Sequence, residues 1–173
     1  EKKAILLAHS YQTPDILAIA DEVGDSYGLA KKAAKTDAEI IVFASVLFMG
    51  ETAKILNPDK TVLVPARAGC SLADSITAAD VRTLRKQYPE AGFVAYVNTS
   101  AAVKAEVDVC CTSSNALRIV EKMPQQQIVF LPDKLMGANL QAKTSKELIF
   151  WNGVCTVHEE FSDREIAEVR AEF

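Results

Sequence analysis

Polar residues stand where the apolar runs of this chain end, and their types are suited to holding a small polar ligand. The residues concerned are His9, Tyr11, Ser26, Cys70, Tyr96, Asn98, Ser113, Cys155 and His158. Hydroxyl, amide and imidazole groups offer neutral hydrogen bonds to a polyanion or a carbonyl compound, and few of them are strong bases. Such a set positions a substrate more readily than it moves protons, so another group must supply the electrophile.

The elements that position these residues alternate between strand and helix. The sequence predicts a helix over residues 51–57 that ends before Pro58, a buried strand over residues 61–64, and a loop that carries Gly69-Cys70 past the end of that strand. Open α/β sheets bind their ligands at the carboxyl ends of their strands. We interpret residues 112–120, 128–132 and 137–140 as a second copy of this helix, strand and loop.

Other short apolar runs predict the remaining strands. They cover residues 4–8, 40–44, 92–96, 107–110, 128–131 and 148–151, and helical patterns lie between them. This alternation predicts an α/β fold with parallel sheets and helices on both faces, in two units that divide near residues 86–92. Pro14 suits the first turn of a helix, and Asp25 or Ser26 suits the N-cap of the next one.

Each polar residue also has a structural interpretation, and the sequence leaves both interpretations open. Ser26, Thr112 and Ser113 are of the types that cap helices, and Tyr11 and Tyr96 are of a type that packs. Cys155 and His158 have the spacing of half a metal site but no partner pair. Cys110 and Cys111 beside a buried strand are interpreted as packing thiols.

The composition excludes several classes of function. The chain has 173 residues, of which 49% are apolar, and its net charge is −4, so it favours a folded domain with no basic face for nucleic acid. It has neither a signal segment nor a membrane-spanning run, which predicts a cytoplasmic protein. The four cysteines form no Cys-x-x-Cys pair, and no phosphate-binding loop motif is present.

Seven motifs in a fixed order then resemble those of one family. They are His9-Ser-Tyr-Gln, Gly24-Asp-Ser, Met49-Gly-Glu-Thr-Ala-Lys-Ile-Leu-Asn-Pro, Ala68-Gly-Cys-Ser-Leu-Ala-Asp, Tyr96-Val-Asn-Thr-Ser, Cys111-Thr-Ser-Ser-Asn-Ala and Trp151-Asn-Gly-Val-Cys-Thr-Val-His. They occur in the family's order and are spread across nearly the whole chain. The chain resembles quinolinate synthase, of the quinolinate synthetase A family, an iron–sulfur enzyme of NAD biosynthesis.

The resemblance implies a fold of repeated three-layer α/β/α domains in a pseudo-threefold arrangement around a central cavity. It implies a first domain over residues 1–88, a second over residues 89–161 and the start of a truncated third over residues 162–173. The implied reaction condenses iminosuccinate with dihydroxyacetone phosphate to quinolinate, with loss of phosphate and water. L-aspartate oxidase is the implied supplier of iminosuccinate.

The resemblance also implies roles for individual residues. Cys70 and Cys155 are two of three ligands of a [4Fe–4S] cluster whose open iron acts as a Lewis acid. The residues expected to line the substrate pocket are His9, Ser26, Tyr96, Asn98 and Ser113, with His9 and Tyr96 as catalytic residues and Tyr11 and His158 as neighbours. We expect the 173 residues alone to be inactive. The rival hypotheses are a non-catalytic α/β binding module and a metal-free phosphosugar enzyme.

Overall fold

The chain folds as an alternation of strands and helices. The structure, a computed structural model, describes residues 3–160 and 162–173. The strands are Ala4–His9 (β1), Glu22–Gly24 (β2), Ile40–Ala44 (β3), Thr61–Leu63 (β4), Gly92–Tyr96 (β5), Val109–Cys111 (β6), Gln127–Leu131 (β7) and Glu147–Phe150 (β8). The helices are Pro14–Ile19 (α1), Ser26–Lys35 (α2), Leu47–Leu56 (α3), Ala78–Gln87 (α4), Ala101–Lys104 (α5), Ala116–Lys122 (α6), Lys134–Gln141 (α7), Thr156–Glu159 (α8) and Asp163–Glu172 (α9), with a 3-10 turn at Ala73–Ser75.

The strands form two parallel sheets of four strands each. The first sheet has the order β2-β1-β3-β4, and the second has the corresponding order β6-β5-β7-β8. All of their strand pairs are parallel. The same order twice confirms the prediction of a repeated α/β unit with parallel sheets.

The sheet orders also correct which segments of the two copies correspond. The sequence pattern matched the helix of residues 51–57 with residues 112–120 and the strand of residues 61–64 with residues 128–132. In the structure α3 occupies the place of α7, and β4 that of β8. The pattern was offset because it matched the Gly-x-x-Leu segment at Gly69, in a loop, with the one at Gly137, which lies within α7. The corrected match makes Cys70 and Cys155 counterparts, and likewise Ser26 and Ser113.

Helices cover both faces of the second sheet, which gives it three layers. Phe93, Ala95 and Leu131 pack in one core, whereas Val94 and Phe130 pack in another. Side chains of one strand alternate between the two faces, so a strand buried on both faces is apolar throughout. This is why β5 and β7 were predicted correctly from continuous apolar runs.

The first core lies between the first sheet and its helices α2 and α3. Leu7, Ile41 and Phe43 from the strands pack there with Leu29 and Met49 from the helices. Among the helices that the structure describes, none is long and apolar enough to cross a membrane.

The packing of α4 bears on the predicted division between residues 88 and 89. Ile76, just before this helix, and Val81 within it belong to the core that contains Phe93. The domain boundaries remain a prediction, and this packing favours a division before residue 76. In α9 no residue is buried, and Ile166 and Val169 are exposed.

Candidate functional site

The carboxyl ends of the strands carry the polar residues singled out from the sequence. His9 ends β1 and is paired with Gly24, so it lies beside the start of α2 at Ser26. Tyr96 ends β5 and is paired with Cys111, after which the chain runs to Ser113. Each sheet therefore presents its residues at the edge where parallel α/β folds bind ligands.

The loops that carry Cys70 and Cys155 lie against each other. The hydroxyl groups of Ser71 and Thr156, which directly follow the two cysteines, are 3.4 Å apart. Both cysteines are free thiols that are half-buried. Two thiols that are 85 residues apart in sequence therefore lie in adjoining loops.

A second set of contacts joins the same two segments near Gly153. The indole Nε1–H of Trp151 donates to the carbonyl oxygen of Ser75 at 3.0 Å. A Cβ atom added at Gly153 would lie 2.4 Å from the carbonyl oxygen of Pro132 and 2.5 Å from Ser75 Oγ. A side chain at this position would therefore force the two cysteine-bearing segments apart.

We expect Gly153→Ala to destabilise the chain by about 1–3 kcal/mol, the usual cost of overpacking a closely packed site. Urea unfolding followed by circular dichroism measures this change in the free energy of unfolding. Gly24→Ala is the matched control, because an added Cβ there meets only Leu29, at 3.5 Å or more, an ordinary contact. Equal stability of the two variants would contradict the close contact at Gly153.

Tyr96 lies within electrostatic range of both cysteines. Burial raises the pKa of its phenol to about 12, and the charges of Asp133, Cys111, Cys155 and Cys70 contribute to the rise. The hydroxyl group of Tyr96 is therefore protonated at neutral pH and is available as a hydrogen-bond donor. Tyr96 thus lies near Cys70 and Cys155, the two cysteines that the family resemblance assigns to one site.

Asp133 is a polar residue at this site that the sequence analysis missed. It is fully buried, and its Oδ1 accepts hydrogen bonds from the backbone N–H groups of Leu135 and Met136 at the start of α7. The signal that could have revealed it was an aspartate directly after a predicted strand, which is a common N-cap.

His9 is held in a defined orientation by Tyr11. Its Nδ1 accepts a hydrogen bond from the backbone N–H of Tyr11 at 3.2 Å, and the two rings meet edge to face with centroids 4.6 Å apart. Burial lowers the pKa of His9, and the charge of Asp25 partly opposes this effect. The imidazole is therefore neutral at neutral pH, with its proton on Nε2, where it can donate to a ligand.

The interpretation of Ser26, Thr112 and Ser113 as helix caps is wrong. Asp25 is the residue that caps α2, with its Oδ1 2.7 Å from the N–H of Gly28. Asn115 occupies the N-cap position of α6, and its own Oδ1 accepts from the N–H of Thr112. Within the described residues, the side chains of Ser26, Asn98 and Ser113 make no hydrogen bond and are free to bind a ligand.

The other predicted packing residues differ in burial, and one further predicted residue is not described. Cys111 is buried in a core, as predicted, and burial raises its pKa to about 12. Cys110 is exposed, so its interpretation as a packing thiol is wrong. Tyr11 is 91% exposed and does not pack in a core. The side chain of His158 lies outside the described part of the structure.

Two cavities lie between the units, and neither is lined by His9, Ser26, Tyr96, Asn98 or Ser113. The smaller one, of about 170 Å³, adjoins Cys70, Glu51 and Ser100. The larger one, of about 520 Å³, lies between α3 and the segment that contains Lys104 and Cys110. The convergence of the five predicted pocket residues on one cavity therefore remains a prediction.

Cys70 and Cys155 are donors of the type that an iron–sulfur cluster requires. Thiolates are the ligands that such clusters take, and Cys70 and Cys155 offer two from adjoining loops. Among the residues and side chains that the structure describes, no three His, Cys, Asp or Glu residues form a group that could hold a metal ion. The chemistry of these two donors fits such a cluster.

Two repeated parallel α/β units that each bring one free cysteine to one of two adjoining loops define the class of a repeated α/β protein with paired cysteine loops. Comparison with known families agrees with that class. The model of the quinolinate synthetase A protein family matches residues 1–173, and the chain belongs to this family.

Curated relatives share the same name and much of the sequence. Quinolinate synthase 1 of Mesorhizobium japonicum is 56% identical over 98% of this chain and 53% of its own length. The quinolinate synthase of Sinorhizobium medicae is 54% identical over 96% of this chain and 47% of its own length. That of Aquifex aeolicus is 54% identical over 98% of this chain and 53% of its own length. The chain thus spans about half the length of the curated relatives that it matches.

Proposed function

We propose that the chain supplies about half of a quinolinate synthase, which condenses iminosuccinate with dihydroxyacetone phosphate and releases quinolinate, phosphate and water. The observation that carries this proposal is the family match over residues 1–173, with relatives named quinolinate synthase at 54–56% identity. The reaction serves NAD biosynthesis in the cytoplasm, with L-aspartate oxidase as the source of iminosuccinate.

In this proposal the polar strand-end residues bind and orient the two substrates. The Nε2–H of His9 and the hydroxyl of Tyr96 donate to oxygen atoms at the reacting centre. The amide of Asn98 and the hydroxyls of Ser26 and Ser113 hold the carboxylate and phosphate groups. Their free hydrogen-bonding groups support this role, because a preorganised donor that needs no rearrangement stabilises a developing charge.

Cys70 and Cys155 are proposed to hold a [4Fe–4S] cluster together with a third thiolate from outside this chain. When bound, the cluster supplies a Lewis acid that polarises a substrate oxygen. The adjoining loops and the free, half-buried thiols support this assignment. The hydrogen bond of Trp151 to Ser75 and the close approach of Gly153 to Ser75 hold the two cysteine-bearing segments together.

The site assignment is tested by Tyr96→Phe and Asn98→Ala in a protein of the relatives' full length that carries this segment. Loss of one preorganised contact to a charged transition state costs about 3 kcal/mol, so kcat should fall on the order of a hundredfold. The melting temperature should change little, because both side chains are only partly buried and Asn98 makes no hydrogen bond within the described residues. Steady-state assay of quinolinate and thermal unfolding measure the two effects.

Tyr88→Phe provides the matched control, since within the described residues the hydroxyl that it removes has one hydrogen bond, which it accepts from the side chain of Gln87. This variant should retain full turnover. A lowered melting temperature in the Tyr96 and Asn98 variants, with unchanged turnover per folded molecule, would favour a packing role and a non-catalytic binding module.

A further inference from the structure

Helix α3 is in contact with the loop of Cys70 and with the start of α5, which follows Tyr96 and Asn98 in the chain. At its first residue, the N–H of Leu47 donates to the carbonyl oxygen of Ala68 at 2.9 Å, two positions before Cys70. One turn later, Oε2 of Glu51 accepts the N–H of Ala101 at 2.8 Å, in the second unit. A single helix therefore sets the distance between the Cys70 loop and the segment that follows Tyr96 and Asn98.

The segment between Tyr96, the last residue of β5, and Ala101, the first residue of α5, is short and makes several hydrogen bonds. Thr99 is fully buried, and its hydroxyl donates to the carbonyl oxygen of Tyr96 at 3.1 Å. The ammonium group of Lys104 donates to the carbonyl oxygen of Thr99 and lies 5.5 Å from the ring centroid of Phe48 in α3. These bonds connect α5, which begins at Ala101, to the backbone at Thr99 and Tyr96.

The contact of Glu51 joins the two units through a side chain. The N–H of Ala101 belongs to the first residue of α5, where a backbone donor has no partner within its own helix. The carboxylate reaches it across the boundary between the units, in the wall of the small cavity that also adjoins Cys70. Hydrogen bonds that involve a charged group are among the stronger ones in proteins.

We propose that Glu51 is a positioning residue, which fixes the segment of Tyr96 and Asn98 relative to the Cys70 loop. The proposal rests on the proposed function for its catalytic consequence, but the positioning itself is a property of the chain. Glu51 touches no reacting atom in this account. It acts through the N–H of Ala101.

Amide hydrogen exchange of the chain tests the positioning without any turnover. Glu51→Ala should speed exchange at Ala101 on the order of tenfold to a hundredfold, as expected when a charged acceptor is lost. Exchange at Val94, in the buried strand β5, should be unchanged, which separates local from global opening. Glu51→Gln, whose amide oxygen can still accept, should restore most of the protection.

Asp21→Ala is the matched control. Its Oδ2 accepts a backbone N–H from Leu6 at 2.7 Å, which is a bond of the same kind that stays within the first unit. It should leave exchange at Ala101 unchanged. If Glu51→Ala fails to speed exchange at Ala101, or if Asp21→Ala speeds it equally, the proposal is overturned.

The catalytic consequence is measured in a protein of the relatives' full length that carries this segment. Glu51→Ala should lower kcat on the order of tenfold while its iron content and its absorbance spectrum after reconstitution stay unchanged, and Glu51→Gln should recover kcat. If this full-length protein without any substitution makes no quinolinate, the proposed function is wrong. The exchange experiment still tests whether Glu51 positions the segment at Ala101. Faster exchange with unchanged kcat would overturn the role of Glu51 in the reaction.

Discussion

Cys70→Ser and Cys155→Ser should each abolish quinolinate synthesis in a protein of the relatives' full length that carries this segment. Each change removes one thiolate from the proposed cluster site. The loss of a Lewis acid removes several kcal/mol of transition-state stabilisation, so turnover should fall by more than about a hundredfold. Quinolinate assay and iron analysis after anaerobic reconstitution measure the two losses together.

Cys110→Ser is the control for this pair. Cys110 is an exposed thiol and is not a proposed ligand, so this variant should keep its iron and its turnover. Serine in place of the half-buried Cys70 or Cys155 should leave the fold intact, and circular dichroism checks that point. Full iron content in both the Cys70 and the Cys155 variants would contradict the assignment of these ligands.

The second large effect concerns the chain by itself. The 173 residues should make no detectable quinolinate even after reconstitution with iron and sulfide. Two thiolates hold a cluster weakly, and the described residues offer no third ligand beside them. An incompletely enclosed site also admits water, which weakens the electrostatic stabilisation and hydrolyses a reactive imine.

This prediction is tested with two proteins under identical anaerobic conditions. One is the chain alone, and the other is the chain joined to the remaining half of the Aquifex aeolicus relative, which it matches over 53% of that relative's length. Only the joined protein should produce quinolinate from iminosuccinate and dihydroxyacetone phosphate. Comparable turnover by the chain alone would contradict this prediction. It would show that two thiolates and the partly enclosed site of this chain are enough for quinolinate synthesis.

Elements with a clear local signal, such as a continuous apolar run or a proline in the first turn of a helix, could be predicted from the sequence. β5 and β7 are buried on both faces and are therefore apolar throughout, and Pro14 lies at the first position of α1 as predicted. α7 was not predicted, because Gly137 and Asn139 have low helix propensity. The structure explains why residue 137 is a glycine: a Cβ atom added there would lie 2.5 Å from the ring of Phe150 in β8.

The candidate site was predictable in its residue types but not in its assembly. The strand ends fixed where His9 and Tyr96 lie, because parallel strands end at a common edge. The meeting of Ser71 with Thr156 depends on how the two units pack, as does the bond between Glu51 and Ala101. Such contacts join residues far apart in sequence and leave no periodic signal in it.

The most direct test of the central claim is a thiol cross-link in the chain itself. A short bis-maleimide applied to the Cys110→Ser variant should link Cys70 to Cys155 within one molecule, and peptide mass spectrometry identifies the linked pair. Cys111 should not react, because it is buried. We expect this linked peptide to be the main product in the folded chain and to be lost in urea. Separate single adducts on Cys70 and Cys155, with no linked peptide, would contradict the claim that the two thiols share one site.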